Sequence, residues 1–206
     1  LLIAPASEQD RAQMLEWFPG RFLIEGDRND YDYIYTREKL ATLAGKKLHG
    51  KRNHIARFKD SGDWSYEPMT AENVEECRTM TYTWIHMREE KWNEEMNQEI
   101  SVLHEAFDHM QELGLVGGVL RRDGQIVAFS IGERLNSETF VVHFEKAYPD
   151  LQGAYPMINQ QFVLHECEGY AYVNREEDTG DPGLRKAKLS YYPDILLPKY
   201  ELEESR

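Results

Sequence analysis

The sequence predicts an α+β fold built on a mixed, mostly antiparallel sheet. Three observations predict it. Residues 64–206 show strand and helix periods in the order strand, two helices, three strands, helix, strand, helix, strand. Asp123-Gly124, between two apolar runs, is a two-residue hairpin signal. The 206-residue chain is 41% hydrophobic and 12% aromatic, which is enough apolar material for a core.

The elements follow in order. Residues 21–25 and 31–35 are rich in aromatic and β-branched side chains and predict strands. Thr36 then stands as an N-cap, and Leu40, Leu43, Ala44 and Leu48 follow at helical spacing. That helix is expected to break near Gly50 and resume through Ile55 and Phe58. Asp60-Ser61-Gly62-Asp63 is turn chemistry and marks a boundary between two parts, 1–62 and 63–206. Residues 64–69 predict a strand. Thr70 caps a helix with Val74, Cys77, Thr81, Trp84 and Met87 on one face. A second helix carries Ile100, Leu103, Phe107 and Met110 and stops at Gly114. Strands at 116–122, 125–135 and 139–147 come next. Pro156 suits a first helical turn, and that helix runs to about 168. A strand at 170–174, a helix opened by Gly183 and stopped by Pro193, and a last strand at 195–202 complete the list. Trp84, Trp92 and the methionines of the first helix are simplest as core. His143 and His165 lie in apolar stretches and read as core or hydrogen-bonded residues.

Composition narrows the function. The net charge of −13 repels anionic lipid and nucleic acid at long range, so such a partner needs a local basic patch. Cys77 and Cys167 form no CxxC pair, and the histidines show no metal spacing. A reducing cytoplasm and no structural metal are expected, with one disulfide left open. No apolar run approaches the roughly 20 residues that span a bilayer. The chain begins with Leu1 and is read as a piece of a longer protein without a secretory signal. Disorder is expected only in the tail, residues 201–206.

Three stretches hold candidate chemistry. Residues 46–59 collect Lys46, Lys47, Lys51, Arg52, Arg57 and Lys59, with Asn53 among them and no acid. They hold phosphates through charge-assisted hydrogen bonds, or form a solvated helix face. Residues 173–188 lie between a strand and a helix, where open α/β sheets place ligands. There Glu176, Glu177 and Asp178 are candidate general bases, and Arg175, Arg185 and Lys188 candidate anion holders. The same residues also read as capping carboxylates paired with arginines. Residues 148–155 form a turn into a helix. Glu145, just before it, is a base facing a cleft or an exposed strand residue.

The order of elements resembles the GNAT acyltransferase fold. In that fold a Gly-rich loop binds the cofactor pyrophosphate at a helix N-terminus, and Gly153 and Ala154 stand in its place. This chain has a single glycine there and no clear Gln/Arg-x-x-Gly-x-Gly/Ala pattern, which weakens the case for coenzyme A. Longer strings are more specific. Tyr33-Ile34-Tyr35, Leu43-Ala44-Gly45-Lys46-Lys47-Leu48-His49-Gly50-Lys51-Arg52-Asn53-His54, Asn174-Arg175-Glu176-Glu177-Asp178 and Gly183-Leu184-Arg185-Lys186-Ala187-Lys188 resemble a bacterial family. That family is named for its similarity to the C-terminal domain of phosphatidylglycerol lysyltransferase. The resemblance covers most of the chain. It implies tandem GNAT-like units, as in Fem-type aminoacyltransferases, with 1–62 the latter part of a first unit and 63–206 a complete second one. It also implies a central sheet that parts next to Gly153.

The namesake enzymes move an aminoacyl group from charged tRNA to a lipid hydroxyl. The first reading is therefore an acyltransferase with aminoacyl-tRNA as donor and a phosphatidylglycerol-type lipid or small molecule as acceptor. Glu145, or one of Glu176, Glu177 and Asp178, would take the proton. Amides of the parted strands would hold the oxyanion, and Lys46, Lys47, Lys51 and Arg52 the phosphates. The rivals are an acyl-CoA-dependent N-acyltransferase and a non-catalytic binding module of the same fold.

Overall fold

A computed structural model describes residues 1–88 and 94–205. Trp92 lies outside the described residues, as does Arg206. The chain divides into two compact units, a terminal one of Leu1–Tyr35 with Asn174–Arg206 and a central one of Thr36–Val173. This division follows packing, and the turn at 60–63 lies inside the central unit.

In the central unit, α2 (Arg37–Thr42) and α3 (His49–Asp60) precede β4 (Trp64–Pro68), α4 (Val74–His86) and α5 (Glu94–Asp108). Then come β5 (Val116–Arg122), β6 (Gln125–Arg134), β7 (Thr139–Ala147), α6 (Ala154–Glu166) and β8 (Tyr172–Asn174). The strands β4, β5, β6 and β7 pair antiparallel in sequence order, with β8 beside β7. Asp123 and Gly124 both take positive φ, +50° and +82°, as the tight hairpin requires. Cys77, Met80 and Trp84 of α4 and Ile100, Leu103 and Phe107 of α5 pack on Val119, Phe129 and Ile131. In α6, Met157, Ile158, Phe162 and Val163 are buried, and the Phe162 and Phe140 rings meet edge-on at 5.8 Å.

The terminal unit holds β1 (Leu2–Ala6), α1 (Glu8–Trp17), β2 (Phe22–Glu25), β3 (Asp32–Thr36), α7 (Pro182–Leu189), β9 (Ile195–Leu197) and β10 (Tyr200–Glu204). β10 lies between β1 and β2, antiparallel to both, and β3 pairs antiparallel with β9. From β4 onward the chain runs strand, two helices, three antiparallel strands, helix, strand, helix and two strands, and the fold is GNAT-like α+β.

Several expectations change. The helical break comes at Leu43, which takes the left-handed conformation (φ +50°), and Gly50 sits inside α3. The helix near Gly183 starts at Pro182, because the Asp181 side chain accepts the Leu184 amide at 2.6 Å. Asn73, not Thr70, is the residue ahead of α4. The predicted last strand is two strands, split at Pro198, which has no N–H to donate. Residues 201–204 of the tail expected to be disordered belong to β10, anchored by Leu202, which is fully buried. Cys77 and Cys167 are buried free thiols, both pushed up to about 12 by burial.

Candidate functional site

Glu145 and Lys146 are neighbours on β7, so they face opposite sides of the sheet. Glu145 is half-buried and pairs in register with Ser130 of β6. Its carboxylate accepts the Asn159 Nδ2–H of α6 at 3.0 Å. Ser130 Oγ and Asn159 Oδ1 are buried without a hydrogen-bond partner among the described residues. On the other face, the Lys146 ammonium donates to Glu99 at 2.6 Å and lies 4.3 Å from the centre of the Trp84 ring. Burial drives the Lys146 pKa down, and Glu99 opposes it.

Tyr155 stands in the first turn of α6. Its hydroxyl oxygen accepts the Trp84 Nε1–H at 3.2 Å. Burial raises the phenol above its ordinary value. Trp84, the Arg88 charge and a backbone hydrogen bond from Ala147 oppose that shift, and the Glu145 charge adds to it. The Arg88 guanidinium lies 4.6 Å over the Trp84 ring. The start of β7 is tied to the start of β8 by the Ala171 and Tyr172 amides, which donate to the Glu138 carbonyl at 2.9 and 3.0 Å. A three-residue strand spans about 10 Å, so β8 does not reach along β7 as far as Glu145.

Gly153 caps α6 with φ +88°, a conformation that favours glycine. A Cβ there would lie 2.3 Å from the His54 carbonyl oxygen of α3. The loop next to Ala154 therefore faces an acceptor, which disfavours an anion at this helix end. On α3 and the turn before it, Lys46, Lys47, His49, His54, Arg57 and Lys59 are exposed, whereas Lys51 is half-buried. Arg52 donates to the carbonyls of Leu43 and Gly45, and Asn53 Nδ2 lies 3.2 Å from His49 Nε2. Arg57, Asp60, Ser61, Leu151 and Gln152 line an open depression of about 410 Å³.

In the terminal unit, several of the residues 174–188 are tied to one another and to the loop backbone. Asp178 is fully buried and receives Arg185 through Nε at 2.8 Å and Nη2 at 2.7 Å. It also accepts the Tyr33 hydroxyl and the Gly180 amide, and Arg28 stands 3.7 Å away. Arg185 is foremost in holding the carboxyl far below the usual range. Arg185 reaches Asn29 Oδ1 as well, at 2.6 Å. Lys188 donates to the carbonyls of Arg175, Glu176 and Glu177. The carboxylate of Glu177 pairs with Lys199 at 2.7 Å. The Arg175 guanidinium lies 5.1 Å over the Tyr191 ring.

The structure therefore gathers Arg175, Glu176, Glu177, Asp178, Arg185 and Lys188 around the loop before α7, and gives Glu145 neighbours that the sequence did not single out. Ser130, Lys146, Tyr155 and Asn159 are not among the candidates the sequence offers, where Trp84 reads as core alone. A signal existed for two of them: Ser130 and Lys146 are polar residues inside apolar strand runs.

The family model for phosphatidylglycerol lysyltransferase, C-terminal, matches residues 2–203. A conserved protein of unknown function from Bacteroides thetaiotaomicron is similar over 99% of this chain and 69% of its own, with 43% identity and a TM-score of 0.93. L-PGS from Bacillus licheniformis is similar in fold, with a TM-score of 0.68 and 16% identity over 98% of this chain and 67% of that one. An uncharacterised protein of Mycoplasmoides gallisepticum is 24% identical over 192 residues. The alignment covers 90% of this chain, which spans 60% of that protein. No helix among the described residues is long and apolar enough to cross a membrane. These relationships show the family and the fold. The chain belongs to the phosphatidylglycerol lysyltransferase C-terminal family.

Proposed function

We propose that this chain is part of an acyltransferase that moves an aminoacyl group from charged tRNA to a hydroxyl or amine acceptor, with a phosphatidylglycerol-type lipid as the acceptor to try first. The observation that carries the reading is Glu145, a half-buried carboxylate on the part of β7 that outruns β8, held in place by Asn159. On the loop before α7, Asp178 is saturated by Arg185, Tyr33 and Gly180, and Glu177 is paired with Lys199. Glu145 is placed to take the acceptor's proton as the acceptor oxygen or nitrogen attacks the aminoacyl carbonyl. The exposed cations Lys46, Lys47, Arg57 and Lys59 serve the tRNA phosphates, so binding weakens steeply with salt. The His54 carbonyl against Gly153 argues against a coenzyme A diphosphate at that turn.

The test uses lysyl-tRNA with radiolabelled lysine, offered with phosphatidylglycerol vesicles and, separately, with hydroxylamine as a small acceptor. Transfer above the protein-free rate is expected, and Glu145→Gln is expected to lower it about 10²-fold or more. Protein that accelerates neither reaction would sink the reading.

A further inference from the structure

The hollow at the far end of α3 is another place where the central unit leaves polar groups uncommitted. We propose that it receives one unpaired guanine base of an RNA chain lying along α3. This rests on the phosphate role given to the α3 cations above, not on the chemistry at Glu145.

The helix builds one side of the site. His49, Asn53, Arg57 and Asp60 follow one another at spacings of four, four and three residues, so they form one exposed stripe along α3. The stripe ends in the depression of about 410 Å³ lined by Arg57, Asp60, Ser61, Leu151 and Gln152. Two of the lining residues are fixed. The Ser61 hydroxyl donates to the Phe58 carbonyl at 3.1 Å and accepts the Arg122 Nη2–H at 2.7 Å. The Leu151 amide donates to the Tyr148 carbonyl, and its own carbonyl accepts the Ala154 amide, both at 3.2 Å. By contrast, the side chains of Arg57, Asp60 and Gln152 make no hydrogen bond or ion pair among the described residues.

The chemistry of these three selects the ligand. Guanine carries two acceptors, N7 and O6, beside two donors, N1–H and N2–H. Arg57 has only donors and the Asp60 carboxylate only acceptors, and they stand next to each other on one helix face. That order matches the guanine edge. The other bases set a ring nitrogen acceptor or a carbonyl beside their donor, and a carboxylate repels both. The C-terminal end of α3 adds partial negative charge beside Asp60, which favours donors there and disfavours a bare phosphate. Leu151, half-buried, offers an apolar surface to the ring, and Gln152 offers a donor and an acceptor to the ribose hydroxyls. Arg57 keeps donors to spare for a flanking phosphate. Lys46 and Lys47, exposed ahead of the helix, extend the grip to phosphates further along the chain.

Fluorescence anisotropy with the whole chain tests this, using labelled oligouridine strands of about 12 nucleotides with one central substitution. Wild type is expected to bind the strand with guanosine about 10-fold more tightly than the strand with adenosine. Inosine lacks the N2 amine but keeps N1–H, O6 and N7, and is expected to fall between them. Asp60→Asn is expected to bring the guanosine preference within about two-fold, because a carboxamide sets a donor against one guanine donor. A role for Asp60 in bulk charge or folding alone would move both strands alike and keep their ratio, which would overturn the proposal. Equal affinity of wild type for the two strands would overturn this proposal alone. Binding of neither would overturn the phosphate role of α3 with it. Guanosine monophosphate lacks the neighbouring phosphates and is expected to compete at least about 10-fold more weakly than the unlabelled guanosine strand. Equal potency would assign the hollow to a free nucleotide and overturn the RNA assignment.

Discussion

Asp178 and Glu145 are both acids beside amide or cationic partners, yet the two units treat them in opposite ways. In the terminal unit, Asp178 is fully buried with its oxygens taken by Arg185, Tyr33 and Gly180. Its charge is consumed by holding the loop to α7. In the central unit, Glu145 keeps part of its surface open and sits beside polar groups with unspent capacity, Ser130 Oγ and Asn159 Oδ1. A dense charged motif can be a fastening, whereas a half-open carboxylate beside unsatisfied polar atoms is a better place for chemistry.

The largest expected effect breaks the fastening. Asp178→Asn leaves Arg185 and Arg28 without their counter-charge and should cost about 3–5 kcal/mol in chemical denaturation. Gly153→Ala comes next. It forces a Cβ against the His54 carbonyl at a positive φ and should cost ~2 kcal/mol or more, read by the same melts. The acid side of stability sharpens the contrast. The folded Asp178 pKa is depressed, so its contribution is fully present above the unfolded value of about 3.9 and is lost as pH falls towards the folded one. Wild type should lose stability below about pH 4, and Asp178→Asn should flatten that slope in urea titrations across the acid range. Glu145→Gln should change stability by less than about 1 kcal/mol, although it lowers transfer about 10²-fold. Smallest of all, Lys46→Ala should leave stability within about 0.5 kcal/mol while lowering the salt slope of tRNA binding by about one.

Much of the fold was legible in the chain. Asp123-Gly124 set the hairpin because a tight turn needs two positive φ values, and the spacing of Ile100, Leu103 and Phe107 set α5. Other elements escaped for physical reasons. α1 buries no residue, so it has no apolar period to read, and its only local mark is the capping box of Ser7 and Asp10. The break at Leu43 depends on Arg52 holding the Leu43 carbonyl from nine residues away. The tail became a strand because β1 and β2 supply its partners from the other end of the chain.

The candidate site was legible only in part, for the same reason. Glu145 drew attention as an acid near the end of a strand. Asn159 did not, because its significance comes from its amide reaching Glu145 from another element. Lys188 looked like an anion holder, since nothing local shows that its ammonium meets three loop carbonyls.

The most direct measurement compares lysyl transfer from lysyl-tRNA to hydroxylamine by folded Glu145→Gln and folded Glu176→Gln, each normalised to the fraction native. The account predicts a loss of about 10²-fold for the first and a rate within about three-fold of wild type for the second. Equal rates in the two variants, or a loss confined to Glu176→Gln, would contradict it.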